Sequence, residues 1–581
     1  MCYRYIALSG NFTGDHDESE WSLAGPLQRL GMERQGHVGC VALFASKETP
    51  TLHLPGGGIL LGDLYGRDGR PATDLAGLQH LSTHSVLRQH LLDHYWGEYL
   101  LFQPTEEGAG GLTLMRDPSG GMACAYSFHP DGSGFITSDL SIASCIGLYR
   151  DRIDWDFVSH CLIYPHMKVA RTGLTGINEL LPGCLLSIDG KKASTLMAWS
   201  PWTFVTPKER QCDPIAAARM IREVITSVVH AMAETDRSLL LELSGGLDSS
   251  IVGVCLSDAH ARIACCTAIT PLPGADERRY ASQVAGQLGI NLLQQPLDFA
   301  DADIGFDLPQ HSLRPAVWAL GRAVGRAMNN AAELQGVNSL FTGGGGDTIF
   351  CYLRSAAPAA DAFRARGLAE GYKAIVDLSR LHGCTVAKAT RLTLRKLYLN
   401  PKAPCKPDYS LLPGIEGIFP LELHPWFSAP PDALHGDRER IFDLAGNQLF
   451  GDSAPRAGGR RVRFPLLSQP VMEACLRVSS WMWISGGQNR AMARSAFSRQ
   501  LPYEVLNRRS KGNFMNYTFA VYRKKKEAIS HFLLDGHLCS NGLLDPYKLN
   551  LFLESALPAR DQSFMRIFDL CMIENWVRNH A

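Results

Sequence analysis

Leu239-Leu-Leu-Glu-Leu-Ser-Gly-Gly-Leu-Asp-Ser-Ser250 is a short apolar run that stops at a Ser-Gly-Gly turn and passes into a helical pattern. That is a strand, a tight loop and a helix start. Gly245 and Gly246 carry no Cβ, so the backbone can bend sharply and bring its N–H groups to an anion. Ser249 and Ser250 add hydroxyl donors at the positive end of the helix. Such a turn suits phosphate. A carboxylate among bound phosphates would repel them unless it held a cation, so Asp248 reads as a Mg²⁺ ligand and the expected ligand is a Mg-nucleotide.

A Ser-Gly-Gly alone would be an ordinary turn ending a buried strand, but Ser244-Gly245-Gly246-Leu247-Asp248-Ser249 is longer and has the form SGGxDS. It resembles the pyrophosphate loop of the N-type ATP pyrophosphatases, which serves a P-loop's purpose without its GKS/T ending. The resemblance implies nucleotide contacts from Leu243, Ser244, Gly245, Gly246, Asp248 and Ser249.

The rest of the chain bounds this reading. With 581 residues, two to four domains are expected. Lys plus Arg equals Asp plus Glu at 57 each, which leaves no broad basic surface for nucleic acid. The cysteines are scattered without zinc spacing, and Cys265-Cys266 sits inside an expected strand, so reduced, mostly buried thiols are expected. No stretch reaches ~18 uninterrupted apolar residues, and Met1-Cys-Tyr-Arg-Tyr5 does not start a signal peptide. A cytoplasmic protein with no membrane partner is expected.

Asp213-Pro214 supplies a helix N-cap and first-turn proline. Ile215, Met220, Ile221, Val224, Ile225, Val228 and Met232 then recur at three- and four-residue steps, predicting an amphipathic helix. Strands follow at 238–243, 263–270, near 291–295 and at 339–342. Helices lie between them, from Ser249, from Asp276 and across 318–332. This alternation predicts a doubly wound parallel sheet with ligand at the carboxyl ends of its strands. Ser200-Pro-Trp-Thr-Phe-Val-Thr-Pro207 reads as the linker before it.

The next strand end carries Phe341-Thr-Gly-Gly-Gly-Gly-Asp-Thr-Ile-Phe350, where glycines admit a ligand and Asp347 can give Mg²⁺ a second carboxylate. It resembles the SGEGxDExF segment of the asparagine synthetases. That likeness implies nucleotide contacts from Thr342, Gly343 and Ile269. Arg461-Val-Arg-Phe-Pro-Leu466 resembles the family's R-x-P-F/L-L turn, and Asn489-Arg-Ala-Met-Ala-Arg494 its K/R-x-x-L-R helix. Arg508-Arg-Ser-Lys-Gly-Asn-Phe514 resembles its R-x-x-K-x-x-F, which implies Lys511 as the catalytic cation against pyrophosphate and the developing charge. Residues 353–460 show no such motif; Trp426, Phe427 and Phe450 there either line a peptide groove or pack in the core.

Before residue 205 the chain is short apolar runs broken by Gly, Pro and Asp, predicting an antiparallel, sheet-rich domain, with helices near 85–95 and 155–162. Leu61-Gly-Asp-Leu-Tyr65, Trp96-Gly-Glu-Tyr-Leu-Leu-Phe102 and Arg116-Asp-Pro-Ser-Gly120 resemble the glutaminase domain of glutamine-dependent asparagine synthetase. The expected fold class is therefore α/β. An Ntn-hydrolase-like, glutaminase-like domain spans 1–205, and an ATP-pyrophosphatase (adenine nucleotide alpha hydrolase-like) synthetase domain spans 206–581. Cys2 matches that family's nucleophile, but its oxyanion asparagine falls on Leu61, which cannot donate a hydrogen bond. A degenerate glutaminase follows.

Asparagine synthetase has an acidic residue, and β-lactam synthetase a tyrosine, where this chain has Gly344. In size, in its degraded first half and in combining SGGLDSS, GxxGGDxxF and SKGxF, the chain resembles the lasso-peptide macrolactam synthetases. That resemblance implies an ATP- and Mg²⁺-dependent ligase that adenylates an Asp or Glu side chain of a precursor peptide. The peptide's N-terminal amine, freed by a leader-peptide protease, then attacks. A glutamine-hydrolysing asparagine synthetase, or another small-molecule amide synthetase, is the alternative.

Overall fold

A computed structural model describes residues 3–10, 23–81, 83–106, 110–189, 192–272, 276–309, 311–399, 405–414, 422–453, 459–508, 515–558 and 561–581. The first 200 residues form two six-stranded sheets. One runs, in spatial order, 178–179, 125–128, 134–137, 5–9, 41–46 and 32–38; the other runs 192–197, 184–189, 112–116, 95–104, 58–66 and 51–54. All pairings in both are antiparallel. Alternate residues of each sheet face the other, and Tyr5, Ala7, Leu43, Leu61, Leu100, Phe102, Leu114 and Leu186 fill the layer between. Leu61 is fully buried in that layer.

The helices expected near 85–95 and 155–162 are His84–His94 and Trp155–Ile163. The strand at 5–9, Tyr5-Ile-Ala-Leu-Ser9, is a short apolar run that the sequence reading passes over; those at 32–38 and 192–197 show no clear apolar run, and the last is exposed along its whole length.

The second half is built on a five-stranded parallel sheet: β1 (Ser238–Glu242), β2 (Arg262–Ile269), β3 (Leu292–Pro296), β4 (Ser339–Phe341) and β5 (Arg461–Arg463). The spatial order is β3-β2-β1-β4-β5. The chain winds outward from β1 in one direction, then returns to β4 on its other side. A crevice therefore opens at the carboxyl ends of β1 and β4, where doubly wound sheets bind ligands. The helices are α1 (Pro214–Asp236), α2 (Leu247–Cys255), α3 (Arg278–Gln287), α4 (Ala319–Gln335) and the short α5 (Gly346–Ile349). Leu239 and Leu241 of β1 pack with α1, α2 and α3, whereas Leu240 packs on the α4 side.

Asp213 caps α1 by accepting the Ile215 N–H at 3.0 Å, and Pro214 takes the first turn. Ile221, Ile225, Val228 and Met232 are buried as the periodicity predicts. Ile215, at the helix start, is 82% exposed and lies off that stripe. The expected linker is instead a packed 3₁₀ turn, Pro201–Val205, with Trp202 buried and its Nε1 donating to Trp426 O at 2.9 Å. Trp426 is core, 1% exposed. Much of the motif-free stretch is helical, with helices at 357–366, 368–382, 386–398 and 435–447.

Buried ion networks join the halves, among them one centred on Arg463 and another in which Arg314 and Lys168 share Glu179 and Asp452. Arg463 of β5, fully buried, donates to Asp63 at 2.8 Å, Glu98 at 2.6 Å and Asp236 at 2.7 and 3.0 Å. Arg461 reaches Asp63 and Glu98 at 2.8 and 2.7 Å, with its guanidinium 3.9 Å from the Tyr3 ring centroid. Charges this deep hold only because each is paired.

Candidate active site

Ser244–Gly246 turns at the carboxyl end of β1 straight into α2. Gly245 has φ +72°, and a Cβ there would lie 2.8 Å from both Glu277 O and Ala281 N. Only glycine fits. Ser244 N donates to Ser249 Oγ at 3.2 Å, Gly246 N donates to Ser244 Oγ at 3.3 Å, and the two hydroxyls are 3.0 Å apart. The hydroxyl of Ser249 thus braces the loop from inside.

The second glycine loop leaves β4 beside the first. A Cβ on Gly343 would lie 2.5 Å from Ser249 N, and one on Gly346 would lie 2.4 Å from Cβ and Cγ of Asp248. The absent side chains let the two loops close on each other. Asp248 and Asp347 thereby come to one place, on either side of Arg490. Arg490 Nη1 donates to Asp248 Oδ1 and Oδ2 at 2.9 and 3.1 Å and to Asp347 Oδ1 at 2.8 Å. Arg490 itself has φ +52° and caps the helix α6 (Ala491–Ala496).

Among the described residues, no three or more His, Cys, Asp and Glu side chains gather as a metal cluster. Two carboxylates leave the remaining positions of an octahedral Mg²⁺ to phosphate oxygens and water, which is the usual arrangement in nucleotide sites. Asp248 and Asp347 fit that role, and Arg490 binds the same carboxylate oxygens that an ion would take.

These groups wall a cleft of about 260 Å³, together with Glu242, Asn447, Arg494 and Arg508. Arg508 pairs with Glu277 at 2.5 Å, donates to Gly245 O at 3.2 Å and covers the Tyr280 ring at 4.1 Å. Arg494 donates to Asn489 O and Arg508 O, both at 3.1 Å, and to Leu506 O. Burial, reinforced by the charge of Arg490, lowers its pKa to about 10. Arg494 so fastens the chain that leads to residue 509. Lys511 and Cys2 lie outside the described residues.

A second, mainly apolar cavity of about 420 Å³ adjoins the cleft. Trp318, Met328, Phe341, Phe450 and Phe464 line it, and Glu242, Ser244, Thr342, Gly344 and Phe450 stand in both walls. Leu243, Thr267 and Ala268 line it too; Ile269, one residue beyond, lines neither space, and its carbonyl accepts the Leu297 N–H at 2.7 Å.

Several residues of this site carry no role in the sequence reading. Arg490, like Arg494 and Arg508, lies inside a recognised motif, and its role shows only in the contacts the fold gives it. Glu242 interrupts an apolar run, which was the available signal. Phe464 gave none.

A family model described as asparagine synthase matches residues 220–578. The chain belongs to the asparagine synthase family. As an asparagine synthase relative it is an ATP-dependent ligase that forms a carbon–nitrogen bond, and the family's cofactors are ATP and, typically, Mg²⁺. No curated protein matches this asparagine synthase relative. Among solved structures it is similar to the allosteric regulatory enzyme of purine biosynthesis, with 9% identity over 53% of this chain and 76% of that one and a TM-score of 0.21. It is also similar to the glutamine phosphoribosylpyrophosphate amidotransferase from B. subtilis complexed with ADP and GMP. There the identity is 11% over 59% of this chain and 81% of that one, with a TM-score of 0.21.

Proposed function

We propose that the enzyme closes a macrolactam in a lasso-peptide precursor. It adenylates an Asp or Glu side chain, and the peptide's own N-terminal amine, exposed by a partner protease, then displaces AMP. The observation that carries this reading is the shared wall between the polar cleft and the apolar cavity. Leu243, Ser244 and Thr342, expected nucleotide contacts, line part of that cavity; the part lined by Trp318, Phe341, Phe450 and Phe464 suits the side chains of a folded peptide better than a free amino acid. Holding acid and amine in one prefolded chain makes the second step effectively unimolecular. The burial of Leu61 between the sheets supports an amine that comes from the substrate, since that position offers no side-chain donor to a glutamine-derived oxyanion.

In this reading the glycine loops approach the phosphates and Asp248 and Asp347 hold Mg²⁺. Arg490, Arg494 and Lys511 supply positive charge toward pyrophosphate. The nucleotide brings the leaving group; the protein positions it and keeps water from the acyl carbon.

The test incubates the protein with Mg-ATP and short synthetic peptides that carry a free N-terminal amine and one internal Asp or Glu. Mass spectrometry then scores loss of one water together with AMP release. The expected result is dehydration that Asp248→Ala and Lys511→Ala abolish and Cys2→Ala leaves unchanged. Asparagine formed from aspartate with glutamine or ammonia would replace this reading with an amidotransferase.

A further inference from the structure

Amide formation leaves a proton to be placed. As the amine nitrogen bonds to the acyl carbon, the bond from that carbon to the phosphate oxygen breaks and AMP departs with the electron pair. One proton must leave nitrogen before the amide is neutral. An acceptor has to stand between the acyl-phosphate site and the space from which the amine arrives. This requirement rests on the reaction proposed above, but it holds for any amine acceptor.

Glu242 stands there. It ends β1, and the two-residue pleat puts it on the same face as Leu240, toward α4. It is one of the few residues in both walls, the polar cleft on one side and the apolar cavity on the other. Among the described residues it forms no ion pair; the Thr342 hydroxyl donates to it, while Thr342 Oγ1 accepts the Gly344 N–H at 3.2 Å. The loop after β4 leaves little room for an alternative carboxylate. A Cβ on Gly344 would lie 3.0 and 3.1 Å from two atoms of the Phe464 ring, so an acidic side chain at 344 would have to displace it. The carboxylate comes instead from the adjacent strand, beside the same glycine.

We propose that Glu242 is a catalytic residue, the carboxylate that takes the proton from the attacking amine. Asp248, Asp347, Arg490, Arg494 and Arg508 line the polar cleft around it. Glu277, paired with Arg508, lines the apolar cavity, and Cys266 faces it from β2. Burial raises the Glu242 pKa, against the opposing hydrogen bond from Thr342, which suits a group that must receive a proton near neutrality.

The experiment separates the two half-reactions in the full-length enzyme. Hydroxylamine, unprotonated at neutral pH and giving an adduct acidic enough to lose its proton to water, traps the acyl-adenylate as a hydroxamate without a protein base; amide product is followed in parallel. The acids offered are the same synthetic peptides and, separately, aspartate with ammonia. For whichever acid the wild type activates, Glu242→Gln should keep hydroxamate formation within about threefold while amide formation falls about 100-fold or more, and Glu242→Asp should recover part of it. The limb of the wild-type pH profile set by Glu242 should be lost in Glu242→Gln, leaving only the rise that comes from ionisation of the amine itself. Hydroxamate also reports that the variant is folded. Equal loss of both products, or loss of neither, would overturn the assignment. Turnover of aspartate with ammonia and of no peptide would remove the peptide reading yet leave the Glu242 comparison readable. A wild type that activates neither acid would overturn both.

Discussion

Asp248 and Asp347, from two different strand ends, present their carboxylates to a single nitrogen, Arg490 Nη1, at 2.9 and 2.8 Å. The pair is held together by a cation the protein supplies itself. Arg490→Gln should leave two like charges facing each other. With Arg490 nearly buried and Asp347 39% exposed, the cost is about 2 kcal/mol without ligand. Added Mg-ATP should recover most of that loss, read as the difference in melting temperature with and without nucleotide. A loss that Mg-ATP leaves unrepaired would mean the arginine serves packing alone.

Gly343 tests the closeness of the two loops. Its substitution by alanine would put a methyl 2.5 Å from Ser249 N, a backbone atom that cannot step aside. Gly343→Ala should therefore pry the second loop from the first and separate Asp347 from Asp248. A fall of about 100-fold or more in AMP release is expected, with an unchanged far-ultraviolet circular dichroism spectrum. AMP release close to wild type would show that the loops need not touch.

The parts of this arrangement differ in how far they could be read from residues. The parallel sheet was legible because β1 and β4 are short apolar runs ended by glycine and β2 is one ended by Thr270-Pro271, and the order of strands and helices followed from their spacing. The edge strand β5 was not. Arg461-Val462-Arg463 reads as a polar turn, and it becomes a strand because its arginines are neutralised by Asp63, Glu98 and Asp236, which lie far off in sequence. Asp248 and Asp347 were legible from their glycine-rich settings, since chemistry that needs bare backbone leaves a local mark. Arg490 and Glu242 act through where the fold carries them, and a charged residue next to a motif looks the same whether it faces water or a ligand.

The joint between the halves should be sensitive to acid. Burial pushes the carboxyl pKa values of Asp63 and Asp236 up, but the guanidiniums of Arg463 and Arg461 and the hydrogen bonds they accept together hold both below the ordinary range. A carboxylate depressed in the folded state contributes stability that is complete above its unfolded pKa of about 3.9 and is lost as pH falls below it. Urea unfolding followed from pH 6 downward should show the midpoint dropping below about pH 4. Arg463→Met should be less stable at pH 6, by about 3 kcal/mol or more, and should lose much of that acid dependence. Parallel curves for the two proteins would exclude the network as the source.

Asp361 should act in the opposite sense. Its Oδ2 accepts from Gly436 N at 2.9 Å and Ser480 Oγ at 2.6 Å, its Oδ1 has no hydrogen-bond partner, and no part of it is exposed. Burial first, and the nearby charge of Asp437 second, raise its pKa above the carboxylate range. A carboxyl raised in the folded state binds its proton more tightly there than when unfolded. Its contribution is present at low pH and declines as pH rises from the unfolded value toward the folded one. Asp361→Asn keeps the shape and both accepted hydrogen bonds while removing the charge. Its advantage over wild type should grow between about pH 5 and pH 8, reaching roughly 1–2 kcal/mol in denaturant midpoints at the upper end. A wild type whose stability does not fall over that range, or a variant that falls in step with it, would show that Asp361 is ionised in the folded protein.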